Sequence, residues 1–91
     1  MANVNDELCE KLYKYGKQLT PVVEIAALVD MDEQTLESAL ENRLSPLRKA
    51  YMRGLAETGE ELRTQMIEAV HAGSPSAIEQ ALYSLRQCQR L

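Results

Sequence analysis

The chain contains no tryptophan and no phenylalanine, and its aromatics are four tyrosines. Its core must therefore rest on Leu, Ile, Val, Met and Ala. It has two cysteines, Cys9 and Cys88, near opposite ends. One pair without a motif is not a disulfide framework, and the expectation is two reduced thiols in a cytoplasmic protein. His71 is the single histidine, so a metal site or an acid–base pair would lack a second imidazole, and neither cysteine is near it in sequence. No apolar run approaches the ~20 residues that span a bilayer, which argues against a membrane protein. The opening MANVNDELCE is polar and acidic, unlike a secretory signal. A glycine-rich phosphate loop, a nucleophile–base set and metal-ligand spacing are all missing, which argues against an enzyme and against a bound cofactor. A basic excess is missing too. The net charge is −4, whereas nucleic-acid modules draw most of their affinity from neutralising phosphates. Tight nonspecific binding is therefore disfavoured, and only a local basic patch would serve.

What is present is helical punctuation. Ninety-one residues suit one small domain, and five helices are expected. The first runs from about Asp6 to Gly16, capped by Asn3 or Asn5, with Leu8, Leu12, Tyr15 and Leu19 on one apolar face. Thr20-Pro21 opens the second, with Thr20 as N-cap and Val22, Ile25, Ala26 and Val29 inward. Asp30-Met31-Asp32 is a turn, and Asp32 caps a third helix that ends near Asn42, with Leu36, Ala39 and Leu40 inward. Ser45-Pro46 starts a long fourth helix reaching about Ala72. Its stripe holds Leu47, Tyr51, Leu55, Leu62, Met66 and Val70. Gly54 and Gly59 mark a bend, a close helix crossing or a break within it. Gly73-Ser74-Pro75 is the strongest stop-and-start signal. It leads into a fifth helix with Ile78, Ala81, Leu82, Leu85 and Cys88 on one face, and the short connection implies an antiparallel hairpin.

The stretch EIAALVDMDEQTLESAL, Glu24 to Leu40, has the spacing of a helix-turn-helix. Ala26 is small where the second helix must cross closely. Asp30 falls at the turn, a position that usually prefers Gly, and Asp tolerates left-handed backbone better than most residues. Met31 and Leu36 fall where such a unit buries side chains. The outward residues of its second helix are Glu33, Gln34, Glu37, Ser38 and Glu41. Of these, Gln34 and Ser38 are the base-edge candidates, because groove readers use Arg, Lys, Asn or Gln. The carboxylates would repel phosphates, so sequence-specific base readout is not expected.

Arg43, Arg48, Lys49 and Arg53 form the best basic cluster and are the DNA-phosphate candidates, in a backbone-positioning role. The competing expectation is a solvated face paired with Glu41, Glu57 or other acids. Lys11, Lys14 and Lys17 make a weaker second group. Tyr13 and Tyr83 fall off the apolar stripes and suit partial exposure at an interface.

Together, Glu24 to Leu40 and SPLRKAYMRGLAETGEELRTQMIEAVHAGSPSAIEQAL, Ser45 to Leu82, resemble the small terminase subunits and related helix-turn-helix proteins of phages and prophages. The likeness covers most of the chain from Thr20 onward. It implies binding to double-stranded packaging DNA, assembly into a homo-oligomer, and delivery of the DNA to a large terminase subunit. The expected architecture is all-α. A three-helix unit contains the helix-turn-helix (about 21–42), and a long helix and C-terminal hairpin follow (about 46–90), within one domain spanning 1–91. The alternative is a non-enzymatic protein-interaction or oligomerisation module that keeps the fold without binding DNA.

Overall fold

The computed structural model describes residues 4–89, with side chains from residue 6 onward. The described residues form helices and connecting turns, with no strand among them: α1 (Val4–Lys17), α2 (Val22–Leu28), α3 (Glu33–Glu41), α4 (Pro46–His71) and α5 (Pro75–Cys88). The expected cap at Asn3 or Asn5 lies outside the described residues and side chains. The chain divides into two compact units, Met1–Thr58 and Gly59–Leu91, and the division falls inside α4.

In the first unit, α1, α2 and α3 each contribute one fully buried large aliphatic side chain, Leu12, Ile25 and Leu36. Ala26 is buried beside them, and Leu8, Val22, Met31, Leu40, Leu47 and Tyr51 pack around the cluster. Full burial of a Leu or Ile stabilises the fold by about 1.5–3 kcal/mol, so these three side chains anchor the unit. Their spacing follows from helix periodicity: Leu8, Leu12 and Tyr15 return to one side of α1, as do Val22, Ile25, Ala26 and Val29 in α2.

The first part of α4 lies against α1 through two glycines. A Cβ on Gly16 would collide with the Tyr51 carbonyl oxygen, and a Cβ on Gly54 with the Tyr13 carbonyl oxygen. Three side-chain bonds accompany this close approach. The Tyr51 hydroxyl donates to the Thr20 carbonyl at 3.0 Å, Thr58 donates to the Lys17 carbonyl, and Tyr13 donates to Glu57 Oε1 at 2.7 Å. Gly16 therefore does not end the first helix, which continues to Lys17. Glycine serves there because the neighbouring backbone leaves no room for a side chain.

Three helices close in the same way. After α1, Leu19 takes a left-handed φ of +58°, while its amide donates to the Gly16 carbonyl and that of Thr20 donates to the Tyr15 carbonyl. After α2, Asp30 takes φ +58°, with Asp30 and Met31 amides bonded back to Ala27 and Ala26. After α4, Gly73 takes φ +87°, with Gly73 and Ser74 amides bonded to Val70 and Ala69. Each closure satisfies carbonyls that the last helical turn leaves open. Leu19 consequently leaves the apolar face expected for it and stands 48% exposed.

The starts follow side-chain chemistry, with one exception. Asp32 accepts from the Thr35 amide at 3.1 Å, and Ser74 accepts from the Ala77 amide at 3.3 Å ahead of Pro75. Ser45 Oγ accepts from the Leu47 amide. At α2, however, the N-cap is Pro21 rather than Thr20, with extended backbone (φ −63°, ψ 151°) and no side-chain cap. Its carbonyl accepts from the Glu24 and Ile25 amides.

In the second unit, α4 runs unbroken through Gly59, and three residues connect it to α5. The sheltered side of α5 is made by Ala77, Ala81 and Ser84, whereas Ile78, Leu82, Leu85 and Cys88 are exposed. The apolar face expected on this helix is thus divided, with Ala81 sheltered and its larger members exposed. Small side chains permit closer helix contact than branched ones, and the sheltered side follows size as well as hydrophobicity.

Candidate nucleic-acid interface

Two short helices and a four-residue connection, Val29 to Asp32, build this site. Ala26 on α2 is 3% exposed, and α2 and α3 pack directly on one another. The left-handed Asp30 reverses the chain, and its neighbour Met31 packs onto the core. Leu36 then pins the inner side of α3. At 100° per residue, the side of α3 opposite Leu36 carries Gln34, Ser38, Glu37 and Glu41, and Glu33 flanks them. All five are exposed. The two base-edge candidates, Gln34 and Ser38, therefore share one face with three carboxylates.

Comparison with protein-family models, with curated proteins and with solved structures found no match.

The four phosphate candidates have different fates. Arg43, in the α3–α4 connection, and Lys49, in the first turn of α4, are exposed and make no hydrogen bond or ion pair among the described residues. Arg48 donates from Nη1 to the Leu40 carbonyl at 2.9 Å, which satisfies an open carbonyl near the end of α3. A guanidinium has five N–H donors, so this bond positions Arg48 without exhausting it. Arg53 pairs with Glu57 at 3.3 Å, one turn along α4, and Glu57 also accepts from Tyr13. That network is turned toward α1. The Tyr13 hydrogen bond first, then Arg53 and Lys17, hold the Glu57 carboxyl below its ordinary range. The same bond to Glu57, with partial burial, pushes the Tyr13 phenol up.

Two further features favour anions near Arg43 and Lys49. The first turn of α4 contains no acid, and a helix start carries partial positive charge on its free amides. The weaker lysine group is partly engaged in stacking. Lys14 lies 5.4 Å from the centre of the Tyr15 ring, and Lys17 lies 5.7 Å from that of Tyr13.

An open groove of about 440 Å³ is lined by Cys9, Glu10, Tyr13, Ala50 and Arg53. Burial, and then the charge of Asp6, raise the Cys9 thiol above its ordinary value, so it stays protonated and weakly nucleophilic at neutral pH. Both cysteines are free thiols. His71 is exposed in the last turn of α4. No described helix is long and apolar enough to cross a membrane.

Sequence reasoning did not find the bond from Arg48 to Leu40 or the Tyr13–Glu57 link. The first joins residues eight apart across a helix end, and the second joins residues 44 apart. Neither spacing is a periodic signal within one helix. The Arg53–Glu57 pair, at one helical turn, was legible.

Proposed function

We propose that this chain binds double-stranded DNA, mainly through phosphates, with α2 and α3 acting as a helix-turn-helix. The observation that carries the proposal is the α2–α3 junction: buried Ala26, left-handed Asp30 and fully buried Leu36 in register. Arg43 and Lys49 contact phosphates. Arg48, held by the Leu40 carbonyl, adds its remaining donors, and Arg53 joins only by leaving Glu57. Gln34 and Ser38 reach base edges, with the neighbouring carboxylates keeping that contact weak. The left-handed turn at Gly73 supports an antiparallel hairpin of α4 and α5, through which the protein self-associates. The resemblance to small terminase subunits implies a packaging role in which a large terminase subunit takes over the DNA.

Fluorescence anisotropy with mixed-sequence duplex DNA at about 50 mM and about 200 mM salt tests the proposal. Each phosphate contact contributes about 0.9 to the slope of log affinity against log salt. Arg43→Ala and Lys49→Ala should each lower the slope by about that amount per protomer, with helicity unchanged. Absence of binding at the lower salt by folded protein sinks the proposal.

A second reading is favoured by the three exposed carboxylates on α3, Glu33, Glu37 and Glu41. In it the same face meets a protein with a basic groove. The triple change to Gln separates the two, because it raises DNA affinity by removing repulsion and lowers affinity for a basic partner.

A further inference from the structure

Helix α5 carries two adjacent lengthwise faces of different character. The sheltered one is built from small side chains, Ala77, Ala81 and Ser84. Beside it, Ile78, Leu82 and Leu85 form an apolar stripe that stands 40, 49 and 54% exposed. At 100° per residue these three lie within an arc of about 60°. Glu79 and Arg86, both exposed, follow the stripe along its other edge, seven residues and so two turns apart. Ala77 is the only buried residue among the described residues of the unit Gly59–Leu91. A unit of that length is below the ~40 residues under which a chain rarely closes a core without oligomerisation, metal or disulfide.

We infer that the stripe is covered by the same stripe of a second copy of this chain, with the two α5 helices antiparallel. The edge charges select both the occupant and the orientation. A two-fold axis crossing α5 between Leu82 and Tyr83 brings Glu79 of each copy level with Arg86 of the other, forming two equivalent ion pairs. The same axis sets Leu85 of the second copy level with Gln80, between Ile78 and Leu82, so the apolar side chains interleave. Parallel pairing would instead carry the Glu79–Arg86 edges of the two copies to opposite sides of the contact, where neither ion pair can form. A uniformly acidic or basic partner would match one edge charge and oppose the other. The stripe is therefore complementary to itself in one orientation. This inference rests on the self-association part of the function proposed above and is independent of DNA binding.

Sedimentation velocity of the full chain over an about 100-fold concentration series tests it, with circular dichroism confirming that each variant stays helical. The wild type is expected to self-associate. Leu82→Glu, at an exposed position, is expected to weaken association at least about tenfold. Glu79→Arg alone and Arg86→Glu alone are each expected to weaken it about tenfold, since both ion pairs become like-charge contacts. An equimolar mixture of these two single variants is expected to recover association, because Arg at 79 then meets Glu at 86 and the native pair also re-forms. A mixture no stronger than its components overturns the antiparallel arrangement. A wild type that associates but ignores Leu82→Glu sinks this interface and leaves the wider self-association proposal standing. A monomeric wild type sinks both.

Discussion

Gly54→Ala and Gly59→Ala are the same substitution in one helix, five residues apart, and the structure assigns them opposite signs. Intrinsic propensity favours Ala over Gly by about 1 kcal/mol at either position. At Gly59 the new Cβ would meet only the guanidinium of Arg63, with Nη1 at 2.8 Å. Arg63 is exposed and flexible, so it swings aside and the propensity gain survives. At Gly54 the Cβ would collide with the Tyr13 carbonyl oxygen and approach the Lys17 amide nitrogen to 2.6 Å. Both obstacles are backbone of α1, which yields only if the helices separate. Overpacking costs about 1–3 kcal/mol, and backbone obstacles place this case at the upper end. Subtracting the propensity gain leaves a net loss of about 2 kcal/mol. For a domain of this size, each kcal/mol moves Tm by about 4–8 °C. Thermal unfolding followed by far-UV circular dichroism should therefore show Gly54→Ala falling by about 8–16 °C and Gly59→Ala rising by about 4–8 °C. A Gly54→Ala protein as stable as the wild type would refute the α1–α4 crossing distance on which this rests.

Two further outcomes follow from other residues. Because the folded-state Glu57 carboxyl is lowered, its stabilising contribution is present above its ordinary value of 4.5 and is lost as pH falls through the lower folded value. Tyr13 is raised, so its contribution is present below its ordinary 10.0 and is lost as pH rises through the higher folded value. The Tm gap between wild type and Tyr13→Phe should thus be widest between these limits and narrow outside them, and a gap independent of pH would count against the hydrogen bond. Leu19→Gly should raise stability by about 0.5–1 kcal/mol by relieving left-handed strain that Leu19→Ala would retain. Urea midpoints that rank Ala above Gly would contradict the φ of +58° at this position.

Local chemistry made much of this fold legible. Asp32 before α3 and Gly73-Ser74-Pro75 between α4 and α5 act within a few residues of themselves, so their roles could be read from neighbours alone. Leu12, Ile25 and Leu36 were legible through helical period. Thr20 was misassigned because Thr-Pro reads as a cap followed by a first helical residue, whereas Pro21 itself is the N-cap. Leu19 was misassigned for a different reason. Helix periodicity was carried through a chain reversal that a non-glycine residue makes at Leu19, where nothing in the letters marks left-handed backbone. In α5 two stripes stand side by side, and hydrophobicity alone selects the larger side chains, whereas the sheltered side is the one that small side chains occupy. For the candidate interface, charge pattern located the basic cluster. Only three-dimensional contact separates Arg43 and Lys49, which are unengaged among the described residues, from Arg48 and Arg53, which already have partners.

The matched left-handed closures at Leu19 and Asp30 bear on the timescale at which α2 opens. This seven-residue helix is bracketed by two joints that store unfavourable backbone energy. A helix so short has little cooperativity of its own, and Ile25 and Ala26 are the side chains that hold it in place. Its release would relax both joints together, so α2 should detach as one kinetic unit rather than fray from an end. The amides of Thr20 and Met31, which donate across the two joints to Tyr15 and Ala26, then become paired reporters. Their hydrogen-exchange rates should rise in step, ahead of amides in the middle of α1, and that common rate would set how readily the α2–α3 surface reshapes around whatever it meets.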